Sequence, residues 1–223
     1  MASETDIANG ALALLGDTAN VSALNPPSGS IQAVHCARFY PMARDQLLEM
    51  HTWGFATKRV QPALLSGTPP APWAYSYQAP SDVLNFLSIL DPNATDDYSQ
   101  GLQQYGSITG ASQYNIGLYT PQPFAVEMDA NGNQVIYTNQ QYAMLRYTGR
   151  VTDTTTFGPL FTEALTRLLA SKLAGPVIKG SEGRAEAKAQ LQSFQAFFSL
   201  ATASDANQHR QNPAQSVDWI VNR

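Results

Sequence analysis

Tyr147-Thr148-Gly149-Arg150-Val151-Thr152-Asp153 runs into Phe157-Gly158-Pro159-Leu160-Phe161, and within these fifteen positions the chain changes its hydrophobic period. Upstream, Tyr142 to Tyr147 has the composition of a strand. Downstream, Asp153 to Thr156 offer several N-cap side chains. Phe157, Leu160, Phe161, Ala164, Leu165, Leu168 and Leu173 then recur at helical intervals, before Gly175-Pro176, where the helix is expected to stop. A further helix is expected from about Ser181, with Leu191, Phe194, Phe198 and Ala201 on one face and Ala185, Ala189 and Ala196 elsewhere on its surface. The stretch is therefore the point at which a β region hands over to a pair of helices.

The first quarter of the chain mirrors this arrangement. Ser3-Glu4-Thr5-Asp6 reads as a helix start, with acidic residues where the helix dipole favours them, and Ile7, Ala11, Leu14 and Leu15 form an apolar stripe that ends at Gly16. Asn25-Pro26-Pro27-Ser28-Gly29 is a loop, and Ser30 caps a longer helix. The expected buried face of that helix is Ile31, Val34, Ala37, Met42, Leu47 and Leu48, with Met50 also on the core side. Pro41 either kinks it or marks a break near Tyr40. At Thr52-Trp53-Gly54-Phe55 the chain turns a corner, where Gly54 is free to take a positive φ and two aromatic rings pack beside it.

Between the helical pairs the period is two. Strands are expected from Thr57 to Leu64, through Trp73, Tyr75 and Tyr77, and from Val83 to Leu90. Phe124, Val126 and Met128 alternate, Asp129-Ala130-Asn131-Gly132-Asn133 supplies Asn-Gly turn chemistry, and Val135 to Thr138 answers as the partner strand. Residues 91–123 are rich in Asp, Gln, Tyr, Gly and Ser without a sustained period and read as a long loop insertion. The expected fold class is α+β: a helical bundle from residues 1–56 and 152–204, a β-rich domain of one small antiparallel sheet over 57–151, and an extended C-terminal arm over 205–223.

At 223 residues the chain can bury a substantial core, but charged residues make up only 13% of it, against about 25% in ordinary soluble domains. Its polar surface must come from Gln, Asn, Ser and Thr. A surface so poor in charge repels copies of itself weakly, as suits a subunit packed against its own kind. The net charge of −4, with Lys and Arg scattered, argues against a general nucleic-acid binder. It does not argue against a conduit in which DNA must slide. No basic leader precedes an apolar run, and no stretch has the roughly 20 apolar residues that cross a bilayer, so an unprocessed, cytoplasmically made protein without a membrane partner is expected.

The side chains that carry chemistry are few and dispersed. His35, His51 and His209 lack metal-ligand spacing, and Cys36 lies on a different helix face from His35. As the only cysteine, Cys36 reads as a small buried residue, and His51 as a partner for a helix C-terminus. Gly29-Ser30-Ile31 and Gly106-Ser107-Ile108 lack the frame of a nucleophile elbow, no phosphate-binding loop occurs, and Asp96-Asp97 reads as solvated surface or a weak calcium contact. The expectation is a protein that is not an enzyme, with no catalytic residue, cofactor or metal.

Two segments carry a resemblance to a known family. One is Ala43-Arg44-Asp45-Gln46-Leu47-Leu48 leading to Trp53, Phe55, Ala56, Lys58 and Arg59. The other is Arg146 to Thr154 with Phe157, Leu160-Phe161, Glu163-Ala164-Leu165 and Leu168 to Ala174. Tyr75 to Asp82 adds an aromatic pair before a turn, departing from the family's pattern at Ala79, where a larger apolar residue is common. Together they resemble the tail tubular protein A family, the head-to-tail connector (adaptor) subunits of podovirus-type tailed phages. The similarity covers most of the chain outside residues 91–123. It implies a structural virion protein at the head-tail junction: a ring of copies, in all expectation a dodecamer, bound to the portal protein and to a tail nozzle or tail tube protein, with DNA passing through the lumen without sequence-specific binding. In such a protein Trp53, Phe55, Arg59, Tyr147, Arg150, Asp153 and Phe157 are structural corners.

Residues 205–215 are polar, and Val217, Trp219, Ile220 and Val221 then close the chain. Such a segment either docks into a neighbour, where Val217, Trp219 and Ile220 would anchor the subunit on the portal, or folds back on its own bundle. Two readings stand beside the connector: another virion or tail-tip binding protein that uses the Tyr- and Gln-rich insertion, and a hydrolase.

Overall fold

The structure is a computed structural model that describes residues 2–18, 20–92 and 122–208. Most of the 91–123 insertion, and Val217, Trp219 and Ile220 with the rest of the C-terminal arm, lie outside the described residues. The fold is α+β, with four α-helices and two three-stranded antiparallel sheets among the described residues, and divides into a helical unit, Met1–Arg44 with Asp153–Arg223, and a β unit, Asp45–Thr152. The last turns of the second helix and the Trp53 corner thus belong to the β unit, not to the helical one as expected.

In the helical unit, α1 (Glu4–Leu14) begins with a capping box. The Asp6 amide donates to Ser3 Oγ at 3.1 Å and the Ser3 amide to Asp6 Oδ2 at 2.9 Å, so two amides that a helix start leaves orphaned are satisfied reciprocally. Its buried side is Ile7, Ala8, Ala11 and Leu12; Leu14 and Leu15 are only half-buried. The longer α3 (Pro159–Ile178) is the centre of this unit, burying Phe161, Leu165, Leu168, Leu169 and Leu173. Each such side chain stabilises by about 1.5–3 kcal/mol at most, the unfolded chain already hiding part of that area. Gly10 lets α1 approach α3, since a Cβ there would stand 3.3 Å from Thr166 Cγ2. Gly183 does the same for α4 (Gly180–Ala206), where a Cβ would lie 2.8 Å from the Ala174 carbonyl oxygen.

Three helical expectations need correction. Gly175-Pro176 does not stop α3, which continues to Ile178 because a proline near the end forfeits only one amide bond; the break comes at Lys179 and Gly180, both at positive φ. The second helix, α2 (Ile31–Glu49), runs through Pro41 unbroken. Its buried face is Ala33, Cys36, Tyr40, Ala43, Leu47 and Leu48, whereas Ile31, Val34, Met42 and Met50 are exposed. The helix has apolar residues on two opposite sides, and periodicity alone does not say which side the core takes. In α4, Phe194 and Ala201 are buried as expected but Leu191 is exposed.

Among the described residues the β unit holds two sheets, where one was expected. The first has the order β1 (Thr57–Val60), β6 (Met144–Gly149), β3 (Val83–Leu90), and the second β2 (Tyr75–Gln78), β5 (Gln134–Thr138), β4 (Phe124–Met128). One apolar cluster, Tyr77, Ile89, Ile136, Ala143, Leu145 and Tyr147, joins them, with Tyr75, Phe86, Phe124 and Val126 packed against it. A single three-strand layer would leave those side chains wet, so the second sheet is the cover. The Asn-Gly hairpin forms as read: Gly132 has φ 81°, and Asp129 Oδ1 accepts from the Asn131 and Asn133 amides, both at 2.8 Å. The strand expected to Leu64 ends at Val60, Trp73 precedes β2, and Tyr142 sits in a turn at φ 55°. The insertion leaves β3 and rejoins the sheet beside it, through an Ile89–Gln122 bridge.

Candidate functional site

The two segments that the sequence sets ninety residues apart are neighbours in the β unit. β1 pairs with β6 so that Thr57 faces Thr148, Lys58 faces Tyr147 and Arg59 faces Arg146. Beside this ladder, Arg150 Nε donates to Asp45 Oδ2 at 2.8 Å, tying the residue where the chain enters the β unit to one just before it leaves. Lys58 Nζ meets Asp82 Oδ2 at 2.6 Å, the Tyr147 hydroxyl donates to Asp82 Oδ1 at 3.0 Å, and the Arg150 amide donates to the Asp82 carbonyl at 2.7 Å. Asp82, in the β2–β3 turn, is thus the hub of the clasp. Burial works to raise its carboxyl, but the Lys58 and Tyr147 hydrogen bonds and the Lys58 charge outweigh this and hold it below the usual carboxylate range. The Tyr147 phenol is pushed up to about 12, first by burial and then by the Asp82 carboxylate.

Trp53 is 1% exposed, and its indole Nε1 donates to the Leu47 carbonyl at 2.8 Å, replacing an amide that the end of α2 no longer supplies. The His51 ring meets the Trp53 ring edge-on at 4.8 Å, and Phe55 lies 6.0 Å away. His51 therefore packs on Trp53. Gly54 opens a 3-10 turn, Gly54–Ala56, and does not use the positive φ open to it. Asp153 caps a second 3-10 turn, Thr154–Thr156, by accepting from the Thr155 amide and hydroxyl at 2.9 and 2.7 Å, which keeps its carboxyl low. Phe157 stacks on Phe161 at 4.7 Å, both buried in the helical unit. Arg59 is exposed on the short edge strand β1.

These corner side chains spend their polar groups on one another or on backbone. The arrangement holds the chain. Cys36 is fully buried and its thiol is pushed up to about 11, by burial and then by the Asp17 charge, so it stays protonated near neutrality. Among the described residues no group of three His, Cys, Asp or Glu side chains is gathered as a cation cage, and no described helix is long and apolar enough to cross a membrane. No protein-family model matches the chain, and no curated protein matches it in sequence. The sequence singled out Trp53, Tyr147, Arg150 and Asp153 but gave Asp82 only as a turn residue and Asp45 only as part of a segment. The pairing of Lys58 with Asp82 spans 24 positions and that of Arg150 with Asp45 spans 105, beyond any local signal.

Proposed function

We propose that this chain is a head-to-tail connector subunit of a tailed phage, building a ring that joins the portal to the tail and extends the DNA channel. The observation that supports this best is the position of the two segments resembling the tail tubular protein A family. They flank the two points where the chain passes between its helical and β units, and they are joined to each other by the β1–β6 ladder and the Arg150–Asp45 pair. Residues with that task close the β unit at the points where the chain enters and leaves it, a structural task that suits a ring component. The distribution of charge agrees. The β unit has four Lys and Arg against eight Asp and Glu and so carries the whole −4, while the helical unit has nine of each. Electroneutral helical units can stand side by side without net repulsion, and an acidic lobe in contact with the lumen keeps DNA from adhering.

Mixing the purified protein with the portal of the same virus and imaging the mixture by electron microscopy, beside each component alone, tests the reading. A closed ring beneath the portal is expected. A protein that stays dispersed and unbound would remove the connector reading and turn attention to the Tyr- and Gln-rich insertion as the contact for another partner.

A further inference from the structure

The first turns of α2, from Ile31 to Met42, are built inside out. Its buried face in the helical unit is lined by the small side chains of Ala33, Cys36 and Ala43 around Tyr40, while larger aliphatic side chains point outward: Ile31 is 70% exposed, Val34 43% and Met42 56%. Positions 31, 34, 38 and 42 fall within one quarter of the helix circumference, opposite the buried face, and extend over about 17 Å at 1.5 Å per residue. A helix apolar on both sides is one packed on both sides. Arg38, the one charged residue in the stripe, has a long aliphatic stem that covers apolar surface while its guanidinium reaches the rim.

The helical unit offers a second, different surface. From Ala189 to Ser204 α4 carries no charged residue, and along one flank Ala189, Ala196, Leu200 and Ala203 are all exposed, with Leu200 at 55%. That strip extends over about 21 Å, again at 1.5 Å per residue, long enough to take the whole α2 stripe. Large side chains stand on one helix and small ones on the other, so ridges meet a shallow groove, and no fixed charge on the α4 strip has to be stripped of water.

We propose that the outer face of α2 packs on the Ala189–Ala196–Leu200–Ala203 strip of α4 in a second copy of this chain, and that this is the lateral junction of the assembly. The inference rests on the connector reading and deepens it. The zero net charge of the helical unit favours another copy over a charged partner. We take the contact as heterologous: one junction leaves an unused surface of each kind in the pair, so copies add until the series closes as a ring, whereas two copies that used both junctions about a two-fold axis would stop at the dimer and overturn the proposal.

Sedimentation velocity over a concentration series tests this on the full chain, using the double variant Ile31→Glu/Met42→Glu, the single variant Leu200→Glu, and their equimolar mixture. Far-UV circular dichroism and melting temperatures check the fold, and Ala196→Glu replaces Leu200→Glu if the latter unfolds. Wild type is expected to associate, each variant alone to associate at least about tenfold more weakly, and the mixture to form dimers and nothing larger, because one intact junction remains in it. A Leu200→Glu chain that associates like wild type overturns the junction and points to α2 meeting itself. So does a wild type that begins to associate only after deletion of Ser216 to Arg223, which would mean that its own arm covers the stripe. Rings on the portal that persist in both variants sink the junction and leave the connector reading standing. A wild type that forms no ring, alone or with the portal, sinks both.

Discussion

Replacing Trp53 with Phe isolates what the corner after α2 does. The indole is 1% exposed, and its N–H fills the Leu47 carbonyl at 2.8 Å in a buried setting. Phe keeps an aromatic ring but removes the donor, leaving a buried acceptor unmet at a cost of about 1–3 kcal/mol. The smaller ring leaves a void of a few tens of Å³, worth about 1 kcal/mol at about 24 cal/mol per Å³. The expected loss is about 2–4 kcal/mol, which at an m-value of about 2 kcal/mol/M lowers the urea midpoint by about 1–2 M. Urea unfolding followed by far-UV circular dichroism is the assay, since the substitution removes a fluorescent probe. Trp73→Phe is the control: Trp73 is only partly buried and precedes β2, so its loss should cost about 1 kcal/mol or less. Equal midpoints for the two variants would refute the view of Trp53 as the bond that closes α2 onto the β unit's first corner.

Three further outcomes follow from named contacts. Gly183→Ala sets a methyl 2.8 Å from the Ala174 carbonyl oxygen and should destabilise the helical unit by about 1–3 kcal/mol; Gly175→Ala, with open space around it, should be neutral or stabilising. Wild-type urea midpoints for the pair would disprove so close a crossing of α3 and α4. The Asp82 carboxyl is held below its unfolded value, so the stability it contributes is complete above about pH 4 and is lost as pH falls through the folded value. Asp82→Asn should therefore cost most stability at pH 6 and progressively less as pH falls below about 4, and a deficit that stays constant with pH would assign the effect to packing alone. Deleting Ser216 to Arg223 should abolish portal capture without lowering the melting temperature; a lowered melting temperature would mean that Trp219 folds back on its own bundle.

The starts of α1 and α2, the Asn-Gly hairpin and the change of period near Thr152 were legible because their causes are local, whereas the N-cap expected among Asp153 to Thr156 serves a 3-10 turn and α3 begins after Gly158 without a side-chain cap. A Ser3–Asp6 capping box, an Asp129 side chain bonded two and four residues on, and an Asp153 cap all act within a few positions, and the sequence shows both partners together. The exchange of faces on α2 was not legible. Ile31, Val34 and Met42 make as good an apolar stripe as Ala33, Cys36, Tyr40 and Ala43, and only the surroundings of the helix decide which turns inward. The end of α3 was misplaced for a related reason: Pro176 near a helix end costs little when the turns before it are buried.

By itself the sequence determined the α+β class, the order of helices around a β insertion and the capped starts of α1 and α2, since each rests on period, capping or turn chemistry within a dozen positions. Tertiary structure alone decided that the described β region is two sheets sharing the Tyr77–Ile136–Leu145 cluster, that Asp82 and Asp45 clasp Lys58 and Arg150, and that α2 turns Ile31, Val34 and Met42 outward. Those depend on which distant segments exclude water from one another, and burial is a property of the assembled chain that no window of sequence contains.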